Sequence, residues 1–316
     1  MKGGPSSLVP IWKTIKLQMT ELTDDALYKI LGIVGFIFAL WIPYHFIESY
    51  WWIVESISDD LSWRSFLTVY LWSCVTMFGL YAFFGVLYWL NHPTIEKYKD
   101  NDVPWPWQNE ENWKPKIIKA VWVNIFNHCG ITGTIGFIGI YIGAINYRVL
   151  LEDLPAFPVY VCQIIFLIMV EDTVFFWSHR TLHQPWIYPY IHKMHHEFYN
   201  SIVLTCEYAH PVEYIFGNSL PSIVGSKFLF GRCHVLTMLV FLTIRLTETA
   251  EAHSGYDFPF SLTKHLPFSC TPHYHNHHHL TNIGNYGSFF MMWDSICGTN
   301  THFYSDENNY QRSIKD

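Results

Sequence analysis

Residues 157–183 read FPVYVCQIIFLIMVEDTVFFWSHRTLH, an apolar run that passes directly into a pair of histidines. From Phe157 to Trp177 there are 21 residues, which as a helix reach across the ~30 Å hydrocarbon core of a bilayer. Two carboxylates, Glu171 and Asp172, sit inside that run. An unpaired carboxylate there is expensive, so both should have work to do. The stretch predicts a transmembrane helix that ends in a chemically active cluster.

Working outward, three more apolar runs have spanning length: Ile30 to Ile47, Phe66 to Leu90 and Val121 to Ala144. A fifth apolar region, Tyr214 to Leu246, is broken by Pro221, Gly225, Gly231 and Arg232. It reads as a tight helical pair or a half-buried hairpin, and hydropathy does not separate the two. Composition agrees with a membrane protein. Charged residues make up 14% of the 316, against ~25% in soluble domains. The expected fold is therefore an all-α, polytopic bundle of about four spans with a histidine-rich cap. We expect an N-terminal segment, 1–28, followed by one membrane domain, 29–316.

Several functions are excluded by what is missing. A net charge of -7 without any basic run argues against a nucleic-acid partner. Seven cysteines stand singly, which offers neither a disulfide framework nor a thiolate zinc site. The N-terminus lacks a signal-peptide pattern, so the first span itself is the expected route into the membrane.

Lysine and arginine placement sets the orientation. Lys2, Lys13, Lys16 and Lys29 precede the first span, and Lys97, Lys99, Lys114 and Lys116 follow the second; the opposite connections hold only Arg64 and Arg148. The histidines after span four are thus expected at the cytosolic surface. Pro104 to Trp107 reads as an interfacial run with its tryptophans at headgroup level.

Of 18 histidines, 14 fall between His179 and His279. They form three boxes. His179 and His183 make a His-x3-His; His192, His195 and His196 make a His-x2-His-His; His275, His278 and His279 make another. On a helix, positions i, i+3 and i+4 share a face, so each box is expected to aim its imidazoles at one point. A lone histidine is usually a surface or satisfied core residue, but eight at ligand spacing are not. Leaving eight buried polar groups unsatisfied costs on the order of 10 kcal/mol, comparable to a domain's whole stability. Eight imidazoles exceed one ion's needs and suit two. Imidazole accepts zinc, copper, iron and nickel alike. No His-Glu-x-x-His zinc-protease pattern occurs, and two irons open to oxygen fit best.

Neutral imidazoles leave two divalent ions uncompensated, so nearby carboxylates are expected to accept the other ring N–H of the ligands. Asp172, Glu171, Glu207 and Glu248 are the candidates, with Glu251 equally readable as a carboxylate reaching the interface. His253 is expected to join the metal ligands, and His210 is undecided. His273 and His277 fall off the ligand spacing.

The boxes, their order and their position after four spans resemble the fatty acid hydroxylase superfamily, with the sterol 4-methyl oxidases nearest. The resemblance runs through Glu171-Asp172-Thr173, Tyr190 to Phe198, Glu207 to Pro211, Thr243 to Leu246, and Glu248-Thr249. It continues through His253 to Asp257, the third box, Ile283 to Tyr286, Trp293-Asp294 and Gly298-Thr299. It covers about residues 120–300. It implies a diiron enzyme of the endoplasmic reticulum membrane. Such an enzyme uses oxygen and NAD(P)H-derived electrons, relayed by a reductase and a b-type cytochrome, to oxidise a methyl group on a sterol. Tyr199 to Cys206 departs from the Pro-Phe-Gly type stretch usual in the sterol branch, and Gln311 to Asp316 lacks a dilysine ending. Within the same chemistry the alternatives are acyl or sphingolipid hydroxylation, desaturation and sterol side-chain hydroxylation. Outside it stands a non-catalytic metal-binding membrane protein.

Overall fold

The computed structural model describes residues 26–109 and 111–306. The expected segment 1–28 therefore lies outside the described residues except for its last three, and so does the C-terminal stretch from Gln311. Four helices are long and apolar enough to cross a membrane: α1 (Ala26–His45), α2 (Leu61–Leu90), α3 (Trp113–Tyr141) and α4 (Phe157–Leu182). Within a bilayer the backbone must satisfy itself, which a continuous helix does. No β-strand occurs among the described residues, only isolated bridges.

Local chemistry marks the ends. Asp60 caps α2 by accepting from the backbone N–H of Ser62 and Trp63 at 2.9 and 3.0 Å. Asn91 closes it in the left-handed region. α3 begins eight residues before the expected Val121 and contains a π-helical turn, Phe126–Ile131. Gly136 in α3 lies against the Phe66 ring of α2, where a Cβ would come within 1.9 Å of it. Only glycine permits that approach.

Burial rises along the spans, from 11% of the α1 window to 44% of the α4 window. α1 is thus peripheral and α4 central. The large side chains of α1, such as Ile30, Ile37 and Ile42, stand exposed, as lipid-facing residues do.

The ambiguous region resolves as a helical hairpin. A π-helical turn, Tyr214–Ser219, leads into α5 (Leu220–Lys227), and α6 (Val235–Ala252) returns. α6 packs on both α2 and α4, and 13 of its 18 residues are buried. Arg245 of α6 donates to Glu171 of α4 at 2.6 Å and to Glu248 at 2.7 Å, so this buried charge is neutralised where it lies. Beyond α6 come α7 (Pro272–Thr281), capped by Thr271, and α8 (Met292–Cys297).

The loop between α2 and α3 belongs to the cap. Trp105 was expected at headgroup level, yet it is only 1% exposed. It packs against Tyr88, Trp107 and Tyr256, and its indole N–H reaches Glu96 at 3.0 Å. A partner for the indole nitrogen is what allows the ring to leave the interface.

Candidate metal centre

Each histidine box has its own local support. His179 lies in the last turn of α4 and His183 caps it. His192, His195 and His196 lie on a 3₁₀ turn, His192–Glu197, rather than an α-helix. The third box lies on α7, and His253 caps α6.

All nine expected ligands come together, but in two groups. His179, His183, His192, His196 and His278 form one, and His195, His253, His275 and His279 form the other; within each, the ligand atoms lie within 4.8 Å of one another. The expectation that each box aims at one point is therefore corrected for boxes two and three, which divide between the groups. On an α-helix, positions i+3 and i+4 stand about 100° apart around the axis. His278 can thus face one group while His279 and His275 face the other.

The ring nitrogens converge. Nε2 of His192 lies 2.9 Å from that of His183 and 3.1 Å from that of His196, and His183 lies 3.2 Å from His278. In the second group, His275 Nε2 is 3.0 Å from His253 and 3.2 Å from His279. Several of these rings have a defined tautomer. Nδ1 donates to a carbonyl in His179 (Tyr286, 2.9 Å), His278 (Gly284, 2.6 Å) and His253 (Thr249, 2.8 Å), and to the Glu213 carboxylate in His192 (2.8 Å). An acceptor at Nδ1 leaves Nε2 as a bare lone pair. Lone pairs facing one another at about 3 Å repel unless a cation lies between them. That spacing suits adjacent nitrogens bound at ~2.0–2.1 Å to one ion. The donor set therefore fits two divalent metal ions.

Burial also keeps the rings uncharged. It lowers His183 to about 2 and His253 to about 4. It pushes His192, His195, His196, His275, His278 and His279 well below the usual histidine value. Neutral imidazole is the form that binds metal.

The four carboxylates expected to hold ligand rings have other partners. Glu171 and Glu248 pair with Arg245. Asp172 accepts the backbone N–H of Phe289 and Phe290 at 3.0 and 2.8 Å. Glu207 pairs with His128 at 2.8 Å and accepts from Tyr81 at 2.9 Å. Glu251 accepts from Ser261. The carboxylate that does touch an expected ligand is Glu213, which the sequence reading passed over. Its signal was available: a lone acid leading into the apolar run Tyr214-Ile215-Phe216 carries the same cost as Glu171. His210 caps a short turn, His273 pairs with Asp100 and His277 with Asp306, so all three lie outside the groups.

The loop after α7 positions the first group. Gly284 has φ +67°, and a Cβ there would lie 1.9 Å from the Thr299 carbonyl oxygen. Asp294 accepts from the N–H of Tyr286 at 2.9 Å and of Gly287 at 2.6 Å. With Asp172, it fixes the carbonyls that hold His179 and His278.

Two cavities meet this centre. A small one, about 20 Å³, is lined by His179, His192, His195, His253 and His275. A larger one, about 390 Å³, runs between α2, α3, α5 and α6. That is the size of a lipid or drug-sized ligand site. Asn218 and Thr249 line both.

Comparison with known proteins extends the picture. Residues 164–299 match the family model described as fatty acid hydroxylase. The chain is 42% identical over 152 residues to a putative methylsterol monooxygenase of Dictyostelium discoideum, covering 48% of this chain and 55% of that protein. It is 40% identical over 153 residues to a very-long-chain aldehyde decarbonylase of Oryza sativa subsp. indica, covering 48% and 56%. With methylsterol monooxygenase 1 of Danio rerio it shares 33% identity over 234 residues, 71% of this chain and 74% of that one. The chain thus spans just over half the length of the first two relatives. No solved structure matches.

Proposed function

This chain belongs to the fatty acid hydroxylase family, and from that membership we propose that it is a membrane monooxygenase oxidising a methyl group of a sterol. The observation that carries the reading is the convergence of nine histidines in two groups beside a lipid-sized cavity. The proposed ligands are His179, His183, His192, His196 and His278 for one ion, and His195, His253, His275 and His279 for the other. Two iron ions bound there would supply the oxygen activation that an unactivated C–H bond requires.

The chain's own residues do the rest. Glu213, the Tyr286, Gly284 and Thr249 carbonyls orient the rings so that Nε2 points inward. The spans enclose a chamber that a lipid enters from the bilayer, and its mostly apolar wall disfavours water beside the reacting carbon. In overall balance, a methyl group, one dioxygen, two electrons and two protons give a hydroxymethyl group and water. NAD(P)H is the proposed electron source, through a reductase and a b-type cytochrome. The proposed site is the endoplasmic reticulum membrane with the histidines on the cytosolic side, which the basic residues around Lys97 to Lys116 support.

A second reading rests on similarity to a protein named as an aldehyde decarbonylase: a long-chain acyl substrate at the same centre. Mass spectrometry of sterols and acyl lipids in cells with and without the chain separates the two. Accumulation of 4-methylated sterols on removal is the expected result. An unchanged sterol profile with altered acyl chains would overturn it.

A further inference from the structure

The larger cavity is not uniform along its length. α6 contributes Met238, Leu242, Arg245 and Thr249 to its wall, a stripe about 16 Å long at the helical rise. Thr249 stands at the metal end, four residues before His253, and Met238 at the far end. Asn218 faces Thr249's end, because those two residues line both cavities. Polar wall residues gather near them: Arg245, Glu207, His128 and Tyr214. The other end is walled mainly by Ile138, Ile142, Ile145 and Met238; Tyr147 and Lys227 are its polar members, and the Lys227 ammonium is turned to the Ala144 carbonyl.

Most of the polar groups are already committed. Arg245 is bound by Glu171 and Glu248, and Glu207 by His128, Tyr81 and Tyr214. The Asn218 amide and the Thr249 hydroxyl are different. Neither side chain makes a hydrogen bond with any described group, although Thr173, Thr181 and Thr243 all return their hydroxyls to the carbonyl four residues back. Ser219 Oγ, next to Asn218 and also on the cavity wall, is buried without a partner. Polar atoms left unpaired in a mostly apolar chamber discriminate strongly for a ligand that pairs them.

We propose that the Asn218 amide and the Thr249 hydroxyl bind a hydroxyl group of the lipid, and so select substrates whose polar group lies beside the carbon to be oxidised. The substrate role rests on the lipid-oxidation reading above, whereas hydroxyl binding at Asn218 and Thr249 is independent of which lipid is oxidised. The ligand group is uncharged, since the basic side chains near the junction, Arg245 and His128, are already paired with carboxylates. A rigid, apolar body then fills the 16 Å stripe. A sterol with a ring hydroxyl next to its methyl carbon has that shape. An acyl chain oxidised far from its head group would leave the Asn218 amide and the Thr249 hydroxyl unpaired.

The test uses the full, metal-loaded chain in nanodiscs and equilibrium binding of labelled probes. These are a 4,4-dimethylsterol with a free 3-hydroxyl, its 3-deoxy analogue, and a long-chain primary alcohol with the matching alkane. Wild type should bind the hydroxysterol about tenfold more tightly than the deoxy analogue, the worth of one or two hydrogen bonds. Asn218→Leu and Thr249→Val should each cut that ratio several-fold, and together bring it near one, with metal content and binding of the deoxy analogue retained. Thr249→Ser keeps the hydroxyl and should keep the ratio, which guards against misfolding as the explanation. Variants that preserve the wild-type ratio overturn the proposal, as does a wild type that favours no hydroxylated probe over its deoxy partner. If neither sterol binds but the alcohol is preferred through Asn218 and Thr249, the sterol reading fails and this one stands.

Discussion

In the five-histidine group, His179, His192 and His278 each give an Nδ1–H to an oxygen, at 2.9, 2.8 and 2.6 Å. One of those oxygens belongs to the Glu213 carboxylate. In the four-histidine group only His253 has a partner of that kind, the Thr249 carbonyl, while Nδ1 of His195, His275 and His279 is buried without one; in the five-histidine group that is so of His196. A ring held at Nδ1 is fixed in tautomer and direction and is the more basic ligand. The first group also sets the carboxyl group of Glu213 against one of its rings. On the proposed assignment the first group should keep its metal the more firmly, whereas the second relies on burial and on the packing of α6 against α7.

Removing a ligand from either group should have the largest effect. His192→Ala and His275→Ala should each lower activity by more than ~100-fold, beyond the range for a supporting residue. Metal analysis should fall from about two ions per chain. Two ions retained in both variants would end the assignment of these histidines as ligands. Acid should act next, and on both groups alike. An unfolded histidine titrates near ~6.5, but burial holds His253 at about 4 and His183 at about 2. Below pH 6.5 the unfolded chain therefore takes up more protons than the folded one. The stability these rings contribute is intact above 6.5 and falls as pH drops, by ~1.4 kcal/mol per unit for each. The loss attributable to His253 levels off near 4, and that of His183 continues toward 2. Tryptophan fluorescence of the metal-free chain against pH should show the cap melting across this range; a flat profile would contradict neutral burial. Glu213→Gln comes third. It should weaken the first ion ~10–100-fold and leave the second, read as two separate release phases under a chelator.

The spans and the nine histidines were legible because each rests on a local period: length of an apolar run, or i, i+3, i+4 spacing. The division into two groups was not, because it depends on the 3₁₀ turn at His192–Glu197 and on α7 lying between both. Glu171, Asp172, Glu207 and Glu248 were legible as buried acids. Most of their partners were not, since Arg245, Phe289 and His128 lie between 74 and 117 residues from Glu171, Asp172 and Glu207; only the Arg245–Glu248 and Tyr214–Glu207 contacts are local. Sequence spacing cannot show which of several buried acids reaches a given ring. Trp105 teaches the same point: interfacial composition gave way to a tertiary partner, Glu96.

The smallest expected effect tests whether the firmness of the first group comes from the loop behind it. Asp172 touches no ligand; its Oδ1 receives the N–H of Phe289 and Phe290. Those residues follow the carbonyls of Gly284 and Tyr286, which hold His278 and His179. Asp172→Asn keeps one acceptor oxygen but puts an amide NH2, which needs acceptors of its own, where Asp172 Oδ2 is buried without a partner. The loop should loosen by about 1 kcal/mol, enough to weaken the first ion several-fold. The second group has no hydrogen bond to this loop among the described residues, so its ion should be released at the wild-type rate. Chelator-driven release, followed as two phases, checks both halves at once. Faster loss from the four-histidine group, with the five-histidine group unchanged, would reverse the comparison and move the stiffening role of Asp172 to α6 and α7.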